Sequence, residues 1–433
     1  MMATRLEGLF IGLALLFLTL ANVSHTVALR YVLLLLFVFY ACANWQSLLA
    51  FVRKGGAPLW SLLVFTGYVL LHSLLLSNWP GESLSEFRSQ LLIGLLWFLV
   101  GGCFFWRQQQ VSVKDLVMLA GTLLCAVELG HALYVRAISG AFPYMASFTT
   151  ATKLELTFFI NTVLVFLAVK VFADASPRFS YPSRLPRWLP ASAILLLLLV
   201  SLMAGARNGL IGMVYLAGSM LVVFLYWERE RLGWRKLLLL VVAIGSAVVL
   251  LASYAYHRDS RNQVFIESAS MGWHYQTSNG WLRTVDYPMM RNGTVVDASA
   301  YERVAWISRG LDLIAEQPLG FGFSRNTFSM SLTHLGQQNK IGHSHSGMID
   351  LGVGTGIAGI LFWLLFCLST MLTGLRHFVQ RKSATGLVLA LVVGGFVGRM
   401  LIESIQRDHL LHLFMFMVGA LLAELLAAES HHA

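Results

Sequence analysis

Apolar residues fill most of the chain in long runs, separated by short polar turns and by one long polar segment. Runs of about 20 apolar residues are long enough to cross roughly 30 Å of hydrocarbon as α-helix. The pattern predicts an all-α polytopic membrane protein with about 12 spans, near residues 8–24, 28–45, 57–77, 90–106, 112–136, 154–174, 188–206, 208–227, 235–256, 346–375, 384–403 and 408–428.

The composition agrees with this assignment. Hydrophobic residues make up 57% of the 433 residues and charged residues only 12%, whereas about a quarter of the residues of a soluble domain are charged. The first run lacks a small-residue cleavage site and is followed at once by further runs, so we expect it to remain as a helix. Three parts are expected: nine spans in 1–256, a polar loop in 257–345, and three spans in 346–433.

Basic residues predict the orientation. With both termini inside, the inner connections carry fifteen lysines and arginines, and the short outer connections carry six: Arg88, Arg136, Lys153, Arg207, Arg399 and Arg407. The positive-inside rule then places the termini in the cytoplasm and the segment 257–345 outside. The net charge of +10 therefore reflects topology and contact with lipid headgroups, and we expect no nucleic-acid partner.

The outer segment is 89 residues long, which is more than a connection between two spans requires. In its second half Val304, Ile307, Leu311 and Ile314 recur at helical spacing, which predicts an amphipathic helix ended by the stretch from Pro318 to Gly320. The first half contains Asn-Gly at 292–293 and is rich in aromatic residues, namely Trp273, Tyr275, Trp281 and Tyr287. We expect an irregular or hairpin lid there, whose aromatic residues either contact sugars or lie at the interface.

Two histidines lie where this segment meets the tenth apolar run, in HSHSGMIDLGVGTGIAG, residues 343–359. An imidazole exchanges protons near neutral pH, so His343 and His345 can serve acid/base chemistry on a lipid-attached substrate. The alternative is that His345 only caps the helix. Gly354, Gly356 and Gly359 match the dinucleotide pattern GxGxxG, but within an apolar run they indicate close helix packing and no cofactor.

Several charges are predicted at the outer membrane boundary. Arg207, Arg399, Arg407 and Lys153 are expected there, as in a site that receives a diphosphate headgroup. A boundary arginine can also simply extend to the headgroups. Within the spans, Glu128 and His131 lie one turn apart, and we expect them to pair rather than to line a lipid channel. Asp350 follows His345 by five residues, and helical phase does not bring it under that histidine.

The chain resembles the O-antigen ligase family of bacterial envelope glycosyltransferases. His345, Ser346, nine further residues and the step from Gly356 to Gly359 fit the family's histidine motif. Arg207 matches an arginine that opens an outer turn, with Ala206 in place of serine. Arg303, three residues before Trp306, and the stretch PLGFG match a further family pattern on the outer helix.

The resemblance implies a GT-C-like membrane enzyme that transfers polysaccharide from undecaprenyl diphosphate to a sugar hydroxyl of the lipid A core oligosaccharide. It implies an active site on the periplasmic side of the bacterial inner membrane, without nucleotide sugar, metal or other cofactor. His345 is then the catalytic base, and Arg207 and Arg303 bind the diphosphate. Arg399 and Lys153, from their place at the outer boundary, and His343, which is secondary to His345, complete the predicted substrate-binding residues.

Alternatives remain open within and beyond the family. An O-antigen polymerase or a protein-directed oligosaccharyltransferase uses a similar lipid-linked donor with another acceptor. A transporter of lipid-linked substrates also has many spans and boundary arginines, although inverted repeats would be expected and none is evident in the sequence.

Overall fold

A computed structural model describes residues 2–430 except 109, 144, 177, 206 and 259. Within helices it describes the backbone alone at 2–5, 207–208, 230–232, 237, 240–241, 244, 247–258, 260–262 and 429–430. The helices are α1 (Met2–Leu20), α2 (Val27–Ala43), α3 (Trp45–Lys54), α4 (Gly56–Leu75), α5 (Pro80–Glu86), α6 (Ile93–Arg107), α7 (Val113–Ser139), α8 (Lys153–Ala175), α9 (Leu189–Ala204), α10 (Arg207–Arg258), α11 (Ser260–Trp273), α12 (Ala298–Glu316), α13 (Thr327–His334), α14 (Gly347–Arg381), α15 (Ala384–Met400) and α16 (Asp408–Ser430). A π-helix, Phe87–Leu92, joins α5 to α6.

The all-α prediction is confirmed, since the described residues form helices and only isolated β-bridges. Seven described helices are long and apolar enough to span a bilayer, and an eighth span results if the pair α2 and α3, bent by 90°, counts as one. Three shorter apolar helices, Leu6–Leu20, Leu189–Ala204 and Ala384–Met400, coincide with further predicted spans. The count of twelve and the orientation stay predictions.

The main core lies between the long helices, with α6 and α16 at its centre. Phe17 of α1 and Trp97 of α6 stack with ring centroids 3.8 Å apart, and Phe416 of α16 meets Trp97 edge on. A Cβ atom at Gly419 would lie 2.1 Å from the carbonyl oxygen of Phe98. The absence of a side chain at 419 therefore allows α6 and α16 to approach closely.

The segment 257–345 forms a second core at one end of the bundle, here called the loop end. Its helix α12 confirms the predicted helix, and of the predicted apolar face Ile314 is buried in the second core and Ile307 packs against it. Leu311 is 47% exposed, whereas Tyr301, Ala305, Trp306 and Leu313 are buried. The buried face thus shares Ile314 with the predicted one but extends to Tyr301 and Trp306, whose aromatic side chains lie in the second core.

The first half of this segment is only partly irregular. Helix α11 occupies Ser260–Trp273, which the sequence reading missed. The predicted hairpin is present, with Met289 and Val295 paired in an antiparallel bridge around Gly293. Trp281 is 1% exposed and lies in the second core, where Nε1 of Trp306 donates a hydrogen bond to its carbonyl oxygen. Trp281 therefore packs within the protein instead of contacting sugars.

Helix α14 is broken at Gly356, which has φ 71° and ψ −174°. The stretch from Pro318 to Gly322 lies against the break: the amides of Phe321 and Gly322 donate to the carbonyls of Val353 and Gly354 at 2.8 and 2.9 Å. The expectation that these glycines serve helix packing was thus wrong at Gly356. A positive φ suits glycine, and a Cβ there would lie 2.3 Å from the carbonyl oxygen of Pro318.

Glu128 and His131 do not pair with each other. The Glu128 carboxylate accepts hydrogen bonds from the hydroxyl of Ser147 at 2.7 Å and from the amide of Thr149 at 2.8 Å. The His131 ring stacks on Phe148 at 4.0 Å. Both side chains hold the loop after α7, so the expected pairing was wrong. The amides and hydroxyls of that loop supply the hydrogen-bond donors of the carboxylate in place of His131.

Candidate functional site

His343 and His345 lie in the loop just before α14, at the loop end of the bundle. The hydroxyl of Ser346 accepts a hydrogen bond from the amide of Ile349 and so caps α14. Because Ser346 performs this role, the alternative in which His345 caps the helix is not supported by the geometry. His345 instead has a left-handed backbone with φ 56°, a conformation that non-glycine residues rarely adopt and that is enriched at functional sites.

Asp350 anchors the loop that carries His343 and His345. Its carboxylate accepts from the amide of Ser344 at 2.9 Å and from the hydroxyl of Ser404 at 2.5 Å. The amide of Gly347 donates to the carbonyl of Glu403 at 3.1 Å. Asp350 therefore joins the histidine loop to the turn between α15 and α16 without contacting His345, as helical phase indicated.

The His345 side chain lies between an aromatic ring and a carboxylate. Its ring is parallel to Trp306 of α12 within 15°, with centroids 5.4 Å apart, and the ring of His343 lies 4.3 Å away. Nδ1 is buried and lies 3.7 Å from Oε2 of Glu403. The His345 side chain is 28% exposed, so Nε2 is the ring nitrogen available to a substrate.

Three arginines lie in the cluster around His345 and Glu403. Nη1 of Arg303 donates to Oε1 of Glu403 at 3.0 Å and to the carbonyl of Ile402 at 3.4 Å. Arg399 is buried in the last turn of α15, one helical turn before Glu403. Nη2 of Arg407 donates to Nε2 of His343 at 3.3 Å. Positive charge thus exceeds negative charge around His345, which suits an anionic group.

The two histidines differ in their electrostatics. Burial, together with the charge of nearby Arg407, lowers the pKa of His343 to about 3. His343 is therefore neutral near pH 7, and its Nε2 accepts a hydrogen bond, so its proton lies on Nδ1. Burial alone would raise the pKa of Glu403, but His345 and Arg303 hold it below its usual value. The carboxylate beside His345 is consequently ionised.

An apolar cavity of about 240 Å³ lies next to this cluster. Phe158 of α8, Tyr215 of α10, Phe396 of α15 and Phe414 of α16 line it, and Arg399 and Ile402 line its loop end. Because Arg303 donates to the carbonyl of Ile402, the cavity adjoins the arginines. An apolar space between membrane helices that ends at guanidinium groups suits a lipid with an anionic headgroup.

The structure brings together four of the six residues predicted for the site: His343, His345, Arg303 and Arg399. Arg207 begins α10, but its side chain lies outside the described ones. Lys153 begins α8, and among the described residues no hydrogen bond or ion pair links it to the cluster. In the part of the chain that the structure describes, no group of three or more histidine, cysteine, aspartate or glutamate side chains is arranged to hold a metal ion.

Sequence reasoning missed Glu403, the residue that contacts both His345 and Arg303. It lies 58 positions after His345, in the turn MLIESIQRDH between α15 and α16. The available signal was one acidic residue flanked by Arg399 and Arg407 at an apolar boundary. Trp306 was recognised only as part of a motif, and its stacking on His345 was not foreseen.

Comparison with known proteins found one family model that matches part of the chain. Residues 192–364, from α9 to the middle of α14, match the family model described as O-Antigen ligase. The matched segment contains Arg303 and His345, whereas Arg399 and Glu403 lie beyond it. No curated protein matched the chain. This segment is therefore similar to the O-antigen ligase family, which confirms the resemblance drawn from the sequence.

Proposed function

We propose that the protein transfers a polysaccharide from undecaprenyl diphosphate to a sugar hydroxyl of the lipid A core oligosaccharide. The reaction takes place at the periplasmic face of the bacterial inner membrane. The match of residues 192–364 to the O-antigen ligase family model supports a lipid-linked polysaccharide as substrate. The observation that carries the proposal is the position of His345, which lies against an ionised carboxylate and beside arginines that adjoin an apolar cavity.

His345 is the general base of the proposed reaction. Nε2 takes the proton of the acceptor hydroxyl while its oxygen attacks the anomeric carbon of the donor sugar. Glu403, 3.7 Å from Nδ1, stabilises the imidazolium that forms. Trp306 stacks on the imidazole of His345 and so holds the orientation of that ring. His343 is a poor base because its lowered pKa makes it a weak proton acceptor and because its Nε2 already accepts a hydrogen bond from Arg407.

The arginines stabilise the leaving group. As the new glycosidic bond forms, the bond between the anomeric carbon and the diphosphate oxygen breaks, and undecaprenyl diphosphate leaves with its electron pair. Arg303 and Arg399, with Arg207 as a further candidate, hold the diphosphate oxygens and stabilise the charge that develops. The proton held by His345 then passes to solvent. Because arginine supplies the positive charge, the proposed mechanism uses no metal, and a chelator should leave turnover unchanged.

The apolar cavity is the proposed binding site for the polyprenyl chain of the donor. A polyprenyl chain can lie between α8, α10, α15 and α16 with its diphosphate at Arg399. Burial of apolar surface contributes roughly 25 cal/mol per Å², so even the first prenyl units would add substantially to binding. Replacing Gly395, which lines the cavity, with Phe should raise the KM for the donor and leave the acceptor KM unchanged.

The surface polysaccharide of a deletion strain tests the proposal. Full-length polysaccharide stranded on undecaprenyl diphosphate, together with unsubstituted lipid A core, is the expected result. Chains of a single repeat would instead identify a polymerase, and unchanged lipopolysaccharide would overturn the proposal. Purified protein given polysaccharide-linked undecaprenyl diphosphate and lipid A core should form the joined product, which a transporter cannot do.

A further inference from the structure

A second cavity, of about 350 Å³, lies at the loop end between α2, the π-helix Phe87–Leu92 and α16. Its lining is more polar than that of the cavity beside Arg399, and it is here called the polar cavity; the polar residues include Arg30, Gln90, Arg325, Asp408, His409 and His412. None of these residues belongs to the cluster around His345. A cavity with this number of titratable and amide groups at a membrane boundary indicates a binding site.

One wall of this polar cavity is a fixed network of ion pairs. Arg325 donates to Glu86 at 2.9 Å and to Asp408 at 2.8 Å, while Nε2 of Gln90 donates to the same two carboxylates at 3.1 and 3.2 Å. Gln90 lies in the π-helix, an element often found at functional sites. Asp408 has φ 53°, a second left-handed non-glycine residue near the site. These ion pairs and hydrogen bonds thus hold the wall of the cavity together without a ligand.

Other polar atoms around this cavity lack partners. Among the described residues, Nε of Arg30, Nε2 of His409 and Oε2 of Glu155 are buried and form no hydrogen bond. Nε2 of His409 and Oε2 of Glu155 lie 3.7 Å apart, beyond hydrogen-bond distance. Buried polar groups are rarely left unsatisfied. These atoms therefore favour a ligand that brings both hydrogen-bond donors and acceptors.

The charges favour a sugar over a phosphate. Arg325 is already neutralised by Glu86 and Asp408, and Glu155 adds a third carboxylate opposite Arg30. A phosphate here would face carboxylates, whereas the cluster around His345 has three arginines to one ionised carboxylate. Sugar hydroxyls both donate and accept, and the partly exposed ring of Tyr31 lines the same cavity. The cluster around His345 thus suits a phosphate group, whereas the polar cavity suits a sugar.

The polar cavity is connected to His345 by direct contacts. Nη1 of Arg407 donates to the carbonyl of Arg325 at 3.4 Å, and Nη2 contacts His343, whose ring lies 4.3 Å from that of His345. Arg407 also precedes Asp408 in sequence. We propose that this cavity binds sugar residues of the acceptor oligosaccharide and so brings the attacking hydroxyl to His345. This inference rests on the proposed transfer reaction.

A substitution at the mouth of the polar cavity tests the inference. Val27 lines the cavity and is 54% exposed, so Val27→Trp fills part of the space without disturbing the ion pairs. Val32 lies on the same helix and is 53% exposed but does not line the cavity, so Val32→Trp is a matched control. We expect Val27→Trp to raise the acceptor KM at least tenfold with the donor KM unchanged, and Val32→Trp to change neither.

A second variant addresses the polar contacts. Arg30→Gln removes the unpartnered Nε and should weaken binding of lipopolysaccharide that lacks O-polysaccharide, measured directly on the full-length protein without turnover. Binding of undecaprenyl diphosphate should be unaffected. A rise in the donor KM instead, or wild-type values for both Val27→Trp and Arg30→Gln, would overturn the inference.

The binding measurement separates this inference from the proposed function. If the wild-type protein transfers no glycan, the proposed function fails on that result alone. Binding of the same lipopolysaccharide by wild-type protein, and its loss in Val27→Trp but not in Val32→Trp, would still place an oligosaccharide in this cavity. Equal binding by all three proteins would show that the cavity does not hold it.

Discussion

Nδ1 of His345 lies 3.7 Å from Oε2 of Glu403, and Oε1 of the same carboxylate accepts a hydrogen bond from Arg303. One carboxylate thus joins the proposed base to a proposed diphosphate-binding arginine. The relationship couples the orientation of the imidazole to the position of the guanidinium. Changes at Glu403 are therefore expected to affect both roles, and changes at His345 only one.

Replacement of His345 tests its role as the base. A positioned base contributes about 10²- to 10⁴-fold to the rate, so His345→Ala, His345→Asn and His345→Gln should all lose transfer by that factor. The amide side chains keep hydrogen bonding but cannot take a proton. Turnover of purified variants measures the effect, and folding is checked by the thermal transition in detergent. Near wild-type turnover in the Gln variant would remove the base role.

Glu403→Gln should lower kcat more than it raises the donor KM. The amide keeps the shape of the side chain but loses the charge that stabilises the imidazolium of His345. The same charge accepts the charge-assisted hydrogen bond from Arg303, an interaction that contributes about 1.5–3 kcal/mol. Glu316→Gln on α12 is the control, since its ion pair with Arg309 lies away from the histidines. If both variants lose activity equally, Glu403 acts only through the fold.

Arg303→Ala and Arg399→Ala should each reduce transfer by roughly one to two orders of magnitude, because each loses charge-assisted hydrogen bonds to the diphosphate. Lysine at either position should restore only part of the activity, since it lacks the bidentate fork. Arg207→Ala is expected to reduce transfer by a similar factor. Arg291, exposed in the hairpin of the outer segment, provides the control. Full activity in the Ala variants would leave these arginines as headgroup anchors.

His343 should make the protein sensitive to acid. Its folded pKa, lowered by burial to about 3, lies below the unfolded value near 6.5. The unfolded chain therefore binds more protons between these values, so stability is full above pH 6.5 and falls as the pH is lowered towards 3, by at most about 1.4 kcal/mol per pH unit. His343→Gln should show a smaller drop in apparent Tm between pH 7 and 5 than wild type. An equal drop would contradict the assignment.

The predicted orientation can be tested by cysteine labelling. Cys42 is exposed, so a Cys42→Ser background is used. Asn292→Cys, in the exposed hairpin turn, should react with a membrane-impermeant thiol reagent in cells whose outer membrane is permeabilised. Trp234→Cys, which follows the break in α10 at Gly233, should react only after lysis. The reverse pattern would place the histidine cluster on the cytoplasmic side.

The sequence predicted what depends on local pattern and failed where distant segments meet. Apolar runs predicted helices, and the spacing after His345 matched a family motif. The partnership of His345 with Glu403 depends on how α15 and α16 pack, which no local pattern records. The buried face of α12 was predicted only in part, because aliphatic spacing located Ile314 but not the buried aromatic residues Tyr301 and Trp306. Gly356 was read as a packing residue because a helix break and a packing glycine look alike within an apolar run.

The break at Gly356 bears on how the protein is made. The stretch from Pro318 to Gly322 leaves the ribosome before α14, so its amides at Phe321 and Gly322 are already present when the carbonyls of Val353 and Gly354 emerge. In a bilayer those carbonyls need partners at once. The carbonyls at the break in α14 therefore depend on a segment that must already lie at the loop end when α14 inserts, so the order of synthesis supplies their partners before they enter the bilayer.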